Sequence, residues 1–344
     1  MTPPQRPDIS QEVVMHDVEH TSPTPDLASR PLGVLVGYDG SDQAMKALVY
    51  AARAARRADC PLTVATAFTV PASAQPNLGS LAAATSETQQ REAIAKALLQ
   101  EALGHLADFD GQVLTRLEVG DAAGAMVRLS SQARLAVVGA RGRGGFVGRL
   151  LGSVSSALPA HAHCPTVVVP RDYDIGEGEA RFAPVESEAP VVVGVDRSER
   201  SEIALQIAAL AAAARQTTLH MLVVMPPPEN WGGWYASLMP GTDVIEQERK
   251  ELEKEVAADA AAVSAQHDGL PVTSEVLVSD AASELIARSG RAQLTVVGTR
   301  GHGRMASALL GSVSRTLLMH AEGPVLVVPD LDPVRNAVNP RHPR

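Results

Sequence analysis

Gly139-Ala140-Arg141-Gly142, then nine residues, then Gly152-Ser153, recurs as Gly298-Thr299-Arg300-Gly301, nine residues, and Gly311-Ser312. Each copy follows an apolar run, Leu135 to Val138 or Leu294 to Val297, and each leads into an amphipathic helical stretch. Two glycines three apart at a strand end let the backbone approach an anion closely, because no Cβ stands in the way. Gly-Ser at the next helix start adds free N–H groups and a hydroxyl. That is the chemistry of a phosphate cradle, and the chain carries it twice.

The repetition extends outward from these motifs. Val34-Leu35-Val36-Gly37-Tyr38-Asp39-Gly40-Ser41 matches Val191-Val192-Val193-Gly194-Val195-Asp196-Arg197-Ser198 at an offset of 157, and the glycine motifs match at an offset of 159. Over residues 137–155 against 296–314, 12 of 19 positions are identical, so the whole unit is duplicated. The period is too long for a solenoid repeat. A length of 344 residues agrees with two domains at the usual ~100–200 residues each.

Each unit reads as strands alternating with helices. Strands are expected at 34–38, 62–68, 112–118, 135–138 and 166–169, with helices at about 42–58, 86–108, 122–132 and 153–162 between them. The second unit repeats the series, with strands at 191–195, 218–225, 272–278, 294–297 and 325–328. Short β-branched strands alternating with helices predict an α/β fold, a parallel sheet covered on both faces. Ligands of such sheets bind beyond the strand C-termini, at the topological switch point. Residues 1–31 read as a flexible tail, 32–170 as the first domain, 171–189 as an acidic, glycine-bearing linker, 190–330 as the second domain and 331–344 as a second tail.

Composition limits the function. The net charge of -9 argues against a nucleic-acid or anionic-membrane partner, since both need basic excess. Aromatic content is 3%, so the cores must be built from Ala, Val and Leu. Two cysteines, Cys60 and Cys164, make neither a disulfide framework nor a metal set, and read as reduced thiols. The absence of an apolar stretch of signal or membrane-span length leads to the expectation of a cytoplasmic protein.

With these residues in hand, the chain resembles the universal stress protein family in its tandem form. The carrying motifs are Val-Gly-Tyr-Asp-Gly-Ser near residue 40, Val-Val-Gly-Ala-Arg-Gly-Arg-Gly-Gly with Leu-Leu-Gly-Ser-Val-Ser-Ser, Gly-Asp-Ala-Ala at 120–123 and His-Ala-His-Cys-Pro at 161–165. The resemblance implies two tandem five-stranded sheets of strand order 3-2-1-4-5, and the ATP-binding branch of the family. Carried over by position, it puts Gly37 and Asp39 near ribose and phosphates and Ala67 in the adenine slot. Gly139, Gly142, Arg143, Gly144 and Gly145 would wrap the phosphates, and Gly152, Ser153, Val154 and Ser155 would close the cradle. The second-unit counterparts are Gly194, Asp196, Val224, Gly298, Gly301, His302, Gly303, Arg304, Gly311, Ser312, Val313 and Ser314. Three departures make the second site the weaker expectation: Gly40 becomes Arg197, Gly120 becomes Ser279 and Gly145 becomes Arg304.

Each motif has a bland counterpart. The glycines could serve tight turns and close helix–strand packing; two copies with serine at the helix start favour a nucleotide. No lysine follows Gly152 or Gly311, so the motif is not a Walker A loop. Asp39 and Asp196 could cap the first helix, a role for which Ser41 and Ser198 compete. A carboxylate beside phosphates is repulsive unless a cation bridges or the ribose hydroxyls engage it, from which we infer Mg²⁺. Arg141 and Arg300 could be solvated loop charges, while Arg143 could offset triphosphate charge. The His161, His163 and Cys164 cluster is not duplicated, so a helix end with a packed cysteine is expected. The Trp231-Gly232-Gly233-Trp234-Tyr235 segment is either a folded-over loop or a lid near the second site.

The expected function is ATP binding as a nucleotide-dependent sensor or regulator in stress response, with a protein partner the sequence does not identify. The alternatives are a slow ATPase or nucleotide-dependent transferase, and an interaction scaffold with structural nucleotide. No general base or nucleophile recurs at both sites, which speaks against rapid catalysis. In the strand order that the resemblance implies, the final strands Thr166 to Val169 and Val325 to Val328 form open apolar edges, and the resemblance implies pairing across this edge, so they are expected to pair with each other. A homodimer of whole chains is compatible with that arrangement.

Overall fold

The computed structural model describes residues 26–70, 78–142, 151–176, 178–183, 185, 187–227, 242–301 and 310–331. The first half runs β1 (Val34–Gly37), α1 (Asp42–Arg57), β2 (Leu62–Phe68), α2 (Leu78–His105), β3 (Val113–Val119), α3 (Ala122–Ser130), β4 (Leu135–Gly139), α4 (Ser153–His161) and β5 (Thr166–Val169). The second half runs β6 (Val191–Gly194), α5 (Glu199–Ala213), β7 (Leu219–Met225), α6 (Thr242–Gln266), β8 (Val272–Val278), α7 (Ala281–Ser289), β9 (Leu294–Gly298), α8 (Ser312–His320) and β10 (Val325–Val328).

Within each half every strand pair is parallel, in the order β3-β2-β1-β4-β5 and its counterpart β8-β7-β6-β9-β10. The expected order 3-2-1-4-5 is therefore present in both. The two sheets merge into one of ten strands, because β5 and β10 pair antiparallel with Val325 opposite Val168 and Val327 opposite Thr166. These edges are fully buried apolar strands, and each covers the other's open hydrogen-bonding row.

Two layers of core follow from the strand period of two. Val34 and Val36 face a layer with α1 and α2, while Leu35 faces the opposite layer with α3 and α4. Each layer continues across the junction, through Val167 and Leu326 on one face and Val168 and Val327 on the other. The near-absence of aromatics is met by alanine. Ala47, Ala51 and Ala55 of α1 are fully buried, which lets this helix lie close against the sheet.

Two sequence expectations change. Residues 26–31, expected as tail, are docked: Arg30 Nη1 donates to the carbonyls of Ser130, Ala133 and His163 at 3.2, 3.0 and 2.7 Å. The stretch expected as a loose linker is packed in its first part. Buried Arg53 of α1 donates to the carbonyls of Arg181, Asp174 and Ile175 and to the Tyr173 hydroxyl. Phe182 is 1% exposed and meets Phe109 edge-on at 5.7 Å, while Tyr173 meets Tyr50 at 5.5 Å. Acidic composition suggested solvent exposure; two aromatic anchors and a buried guanidinium outweigh it. The remaining tail residues, 1–25 and 332–344, lie outside the described residues.

Candidate nucleotide site

Strand β1 ends at Gly37 and the chain turns into α1 through Tyr38 to Ser41. Asp39 Oδ1 accepts from the Ser41 amide at 3.1 Å and from its hydroxyl at 2.6 Å. Ser41 Oγ in turn accepts from the Ala44 amide, so Ser41 is the helix cap and Asp39 orients it. The second half repeats this arrangement: Asp196 holds Ser198 at the same two distances, and Ser198 caps α5.

The glycine motif sits directly across from this aspartate. A Cβ at position 142 would lie 2.5 Å from Asp39 Oδ2, and one at 301 would lie 2.2 Å from Asp196 Oδ2. Position 139 is equally closed, since a Cβ there would meet the Gln43 backbone at 2.6 Å. Those glycines serve close packing within the protein. Gly152 differs: its φ of -71° and ψ of 170° suit any residue, and a Cβ there would meet nothing nearer than Ser155 Oγ at 3.4 Å.

Gly152 and Gly311 are also the N-caps of α4 and α8, and neither can supply a side-chain acceptor. Helices α1, α3, α5 and α7 are capped by Ser41, Asp121, Ser198 and Asp280. The first N–H groups of a helix have no intrahelical partner, so α4 and α8 present theirs outward with the positive end of the helix dipole. Ser153 and Ser312 are exposed at these openings. Ser155 and Ser314 are not: both are buried, and their hydroxyls donate to Ala140 O and Gly298 O at 2.7 Å. They tie the helix to the strand end.

In the first half these pieces surround a cavity of about 540 Å³ at the C-terminal ends of β1, β2 and β4. Gly37, Asp39, Ala67, Gly139, Gly142, Gly152, Ser153, Val154 and Ser155 all line it. Arg143, Gly144 and Gly145, like His302, Gly303, Arg304 and the Trp231 to Tyr235 segment, lie outside the described residues. The cavity has two ends. One holds Asp39, Arg141 and the α4 N-terminus. The other is an apolar slot between Ala65 and Ala67 of β2, Leu98 of α2 and Ala122, Ala125 and Met126 of α3.

Several of these wall residues were not singled out from sequence. Ala122, Ala125 and Met126 follow the Gly120-Asp121 turn, and Asp121 Oδ1 accepts from Gly124 N at 2.7 Å, which fixes the start of α3 beside the slot. Thr66, a buried hydroxyl in an apolar strand, donates to Tyr38 O and locks the turn after β1. Glu118 lines the slot from β3, 3.6 Å from Arg128. Arg141, which could have been a solvated loop charge, lines the cavity.

In the second half Gly194 ends β6, Val224 stands on β7 beside Leu277, and Gly298 ends β9. Gly311, Ser312, Val313 and Ser314 open α8 as their counterparts open α4. Arg197, which replaces Gly40, keeps the left-handed backbone with φ of 63° against 74°. Its guanidinium bonds Glu255 of α6 at 2.5 Å. Among the described residues no group of three His, Cys, Asp or Glu side chains could hold a metal ion. Cys164 is buried, and burial pushes its thiol up to about 12, so it stays protonated. No described helix is long and apolar enough to cross a membrane.

Known proteins agree with this architecture. The family model described as the universal stress protein family matches residues 33–170 and 189–329. The chain is 34% identical over 304 residues to universal stress protein Rv2623 of Mycobacterium tuberculosis, covering 86% of this chain and 96% of the relative. It is 33% identical over 302 residues to universal stress protein Rv2005c of the same organism, with the same coverage. Among solved structures, a universal stress protein from Archaeoglobus fulgidus superposes with a TM-score of 0.57 at 18% identity, covering 86% of this chain and 96% of that one. The chain belongs to the universal stress protein family, with two family units in tandem.

Proposed function

We propose that the chain binds ATP in the first-half cavity and acts in stress response as a nucleotide-dependent regulator. The observation that carries this reading is Gly152. The protein itself leaves room for a Cβ there, yet the position is glycine, at an uncapped helix start on the wall of an apolar cavity. Phosphates would accept from the amides of Ser153, Val154 and Ser155, with the Ser153 hydroxyl and Arg141 beside them. The base would lie in the slot between Ala67 and α3, and the ribose toward Asp39. A cavity of this size is in the range of ligand sites, ~300–1,000 Å³.

Asp39 has an oxygen directed at the cavity loop, so it fits a Mg²⁺ carried in on the nucleotide better than one held by the protein alone. We favour binding over rapid turnover. The carboxylates lining the cavity, Asp39 and Glu118, are engaged with Ser41 and Arg128. The domain limits 32–170 and 190–330, the cytoplasmic location and a whole-chain homodimer belong to the same reading.

Calorimetric titration with ATP, on wild type and Gly152→Val, tests it. The branched side chain should abolish binding while leaving the melting temperature near wild type. Wild type that takes up no ATP, or a variant that binds normally, would sink the proposal.

A further inference from the structure

Asp121 caps α3 and Asp280 caps α7, and both helices are nine residues long, so their positions correspond one to one. Ala125, buried in the wall of the first slot, therefore corresponds to Glu284. The strand register gives two more pairs. Ala65 pairs with Gly37 as Leu222 pairs with Gly194, and Ala67 pairs with Glu118 as Val224 pairs with Leu277. Three alanines that leave the first slot open thus become Leu222, Val224 and Glu284.

Glu284 is also held in place. Its Oε1 accepts from Ser279 Oγ at 2.8 Å and its Oε2 from Arg288 Nη1 at 2.5 Å. Ser279 replaces Gly120 in the same position: its amide bonds Met225 O, as the Gly120 amide bonds Phe68 O, beside the end of the second strand of each half. Arg288, which replaces Leu129, continues to Glu275 of β8 at 2.8 Å, and Glu275 meets His220 of β7 at 3.3 Å. None of these side chains has a like counterpart in the first half. Arg288 and Ser279 hold the Glu284 carboxyl below its ordinary range, so it is charged at neutral pH.

From this we infer that Leu222, Val224 and Glu284 close the base slot of the second half, so the chain takes one ATP rather than two. The inference rests on the reading of the first cavity as the nucleotide site. Its physical content is volume and charge. A purine ring needs the space that Ala65, Ala67 and Ala125 leave, and overfilled apolar sites do not relax cheaply. A base stacked on a charged carboxylate would also strip it of water. Glu118 in the first half is a carboxylate on the slot wall too, but it comes from the strand at the edge, whereas Glu284 comes from the helix face that Ala125 leaves empty.

Stoichiometry decides it. Wild type titrated with ATP should saturate at one per chain, and Gly152→Val should bind none. Leu222→Ala, Val224→Ala and Glu284→Ala together, in the Gly152→Val chain, should restore one site; Arg288 keeps Glu275 as partner, and a melting curve checks the fold. Ala125→Glu in wild type should abolish binding from the other direction. Two ATP per chain in wild type would overturn the inference while leaving the proposed function standing. So would a triple variant that melts normally yet binds nothing. Wild type that binds no ATP at all would overturn both.

Discussion

The two strand-end loops are near copies, and the two slots behind them are not. Asp39 and Asp196 hold their serines at the same distances, Gly142 and Gly301 face the same carboxylate oxygen, and Gly152 and Gly311 leave α4 and α8 uncapped alike. Those features are built from backbone and from the absence of side chains, so little variation is open to them. The slots are built from side chains on β2, β3 and α3 or on β7, β8 and α7. There, alanine can become glutamate without disturbing the sheet. A duplicated fold can thus keep the anion-facing end of a cradle twice while the base-facing end diverges.

The largest effect should come from separating the halves being compared. Val168 and Val327 are buried at the centre of the ten-stranded sheet, 3% and 0% exposed. Val168→Lys with Val327→Lys would bury two unpaired ammonium groups, and we expect a loss of at least ~4–5 kcal/mol. Calorimetry should show the single transition replaced by two or lost. Unchanged cooperative melting would mean that the junction contributes little to the fold.

A smaller effect separates packing glycines from cradle glycines within one motif. Gly142→Ala forces a methyl onto the Asp39 carboxylate and should cost ~1–3 kcal/mol in urea titration. Gly152→Ala meets only ordinary contacts. Its poorer capping costs up to ~1 kcal/mol, and the stiffer unfolded chain returns ~0.4–1 kcal/mol, so stability should barely move. Equal losses at the two positions would mean that Gly152 is also a packing residue, and would remove the main support for the ligand reading.

The parallel sheet and the paired motifs were legible because both rest on local rules, whereas the strand order came from the family resemblance. β-branched runs between helices specify a parallel sheet, and a glycine spacing found twice at strand ends specifies a feature of the backbone. The pairing of β5 with β10 was expected as well, since Thr166 to Val169 and Val325 to Val328 are short apolar strands that the family order puts at a sheet edge. What escaped depends on contacts between distant segments. Ala125 and Glu284 already align at the offset of 159 that matches Gly120 with Ser279, but nothing in an isolated alanine marks it as a slot wall. Residues 171–183 misled through composition: their acidic side chains are conspicuous, while docking is carried by Tyr173, Phe182 and the distant Arg53. In a chain with so few aromatics, two within such a stretch were the available signal.

The smallest predicted difference concerns the turn after the first strand of each half. Gly40 and Arg197 share a left-handed backbone, at φ of 74° and 63°. A residue with a Cβ pays ~1–2 kcal/mol there, because Cβ crowds the following carbonyl. Arg197→Gly removes that strain. It also loses the contact with Glu255, which is half exposed and so worth ~0–1 kcal/mol, and it loosens the unfolded chain by a further ~0.4–1 kcal/mol. The terms nearly cancel, and we expect a change within about 0.5 kcal/mol of zero. Gly40→Arg carries the strain without an established partner, so it should destabilise by ~1 kcal/mol. Urea midpoints of the two variants measure the asymmetry. Because Arg197 is drawn toward α6, Arg197→Gly should also leave ATP stoichiometry as in wild type. A second ATP bound by Arg197→Gly alone would move the barrier in the second half from its slot wall to this turn.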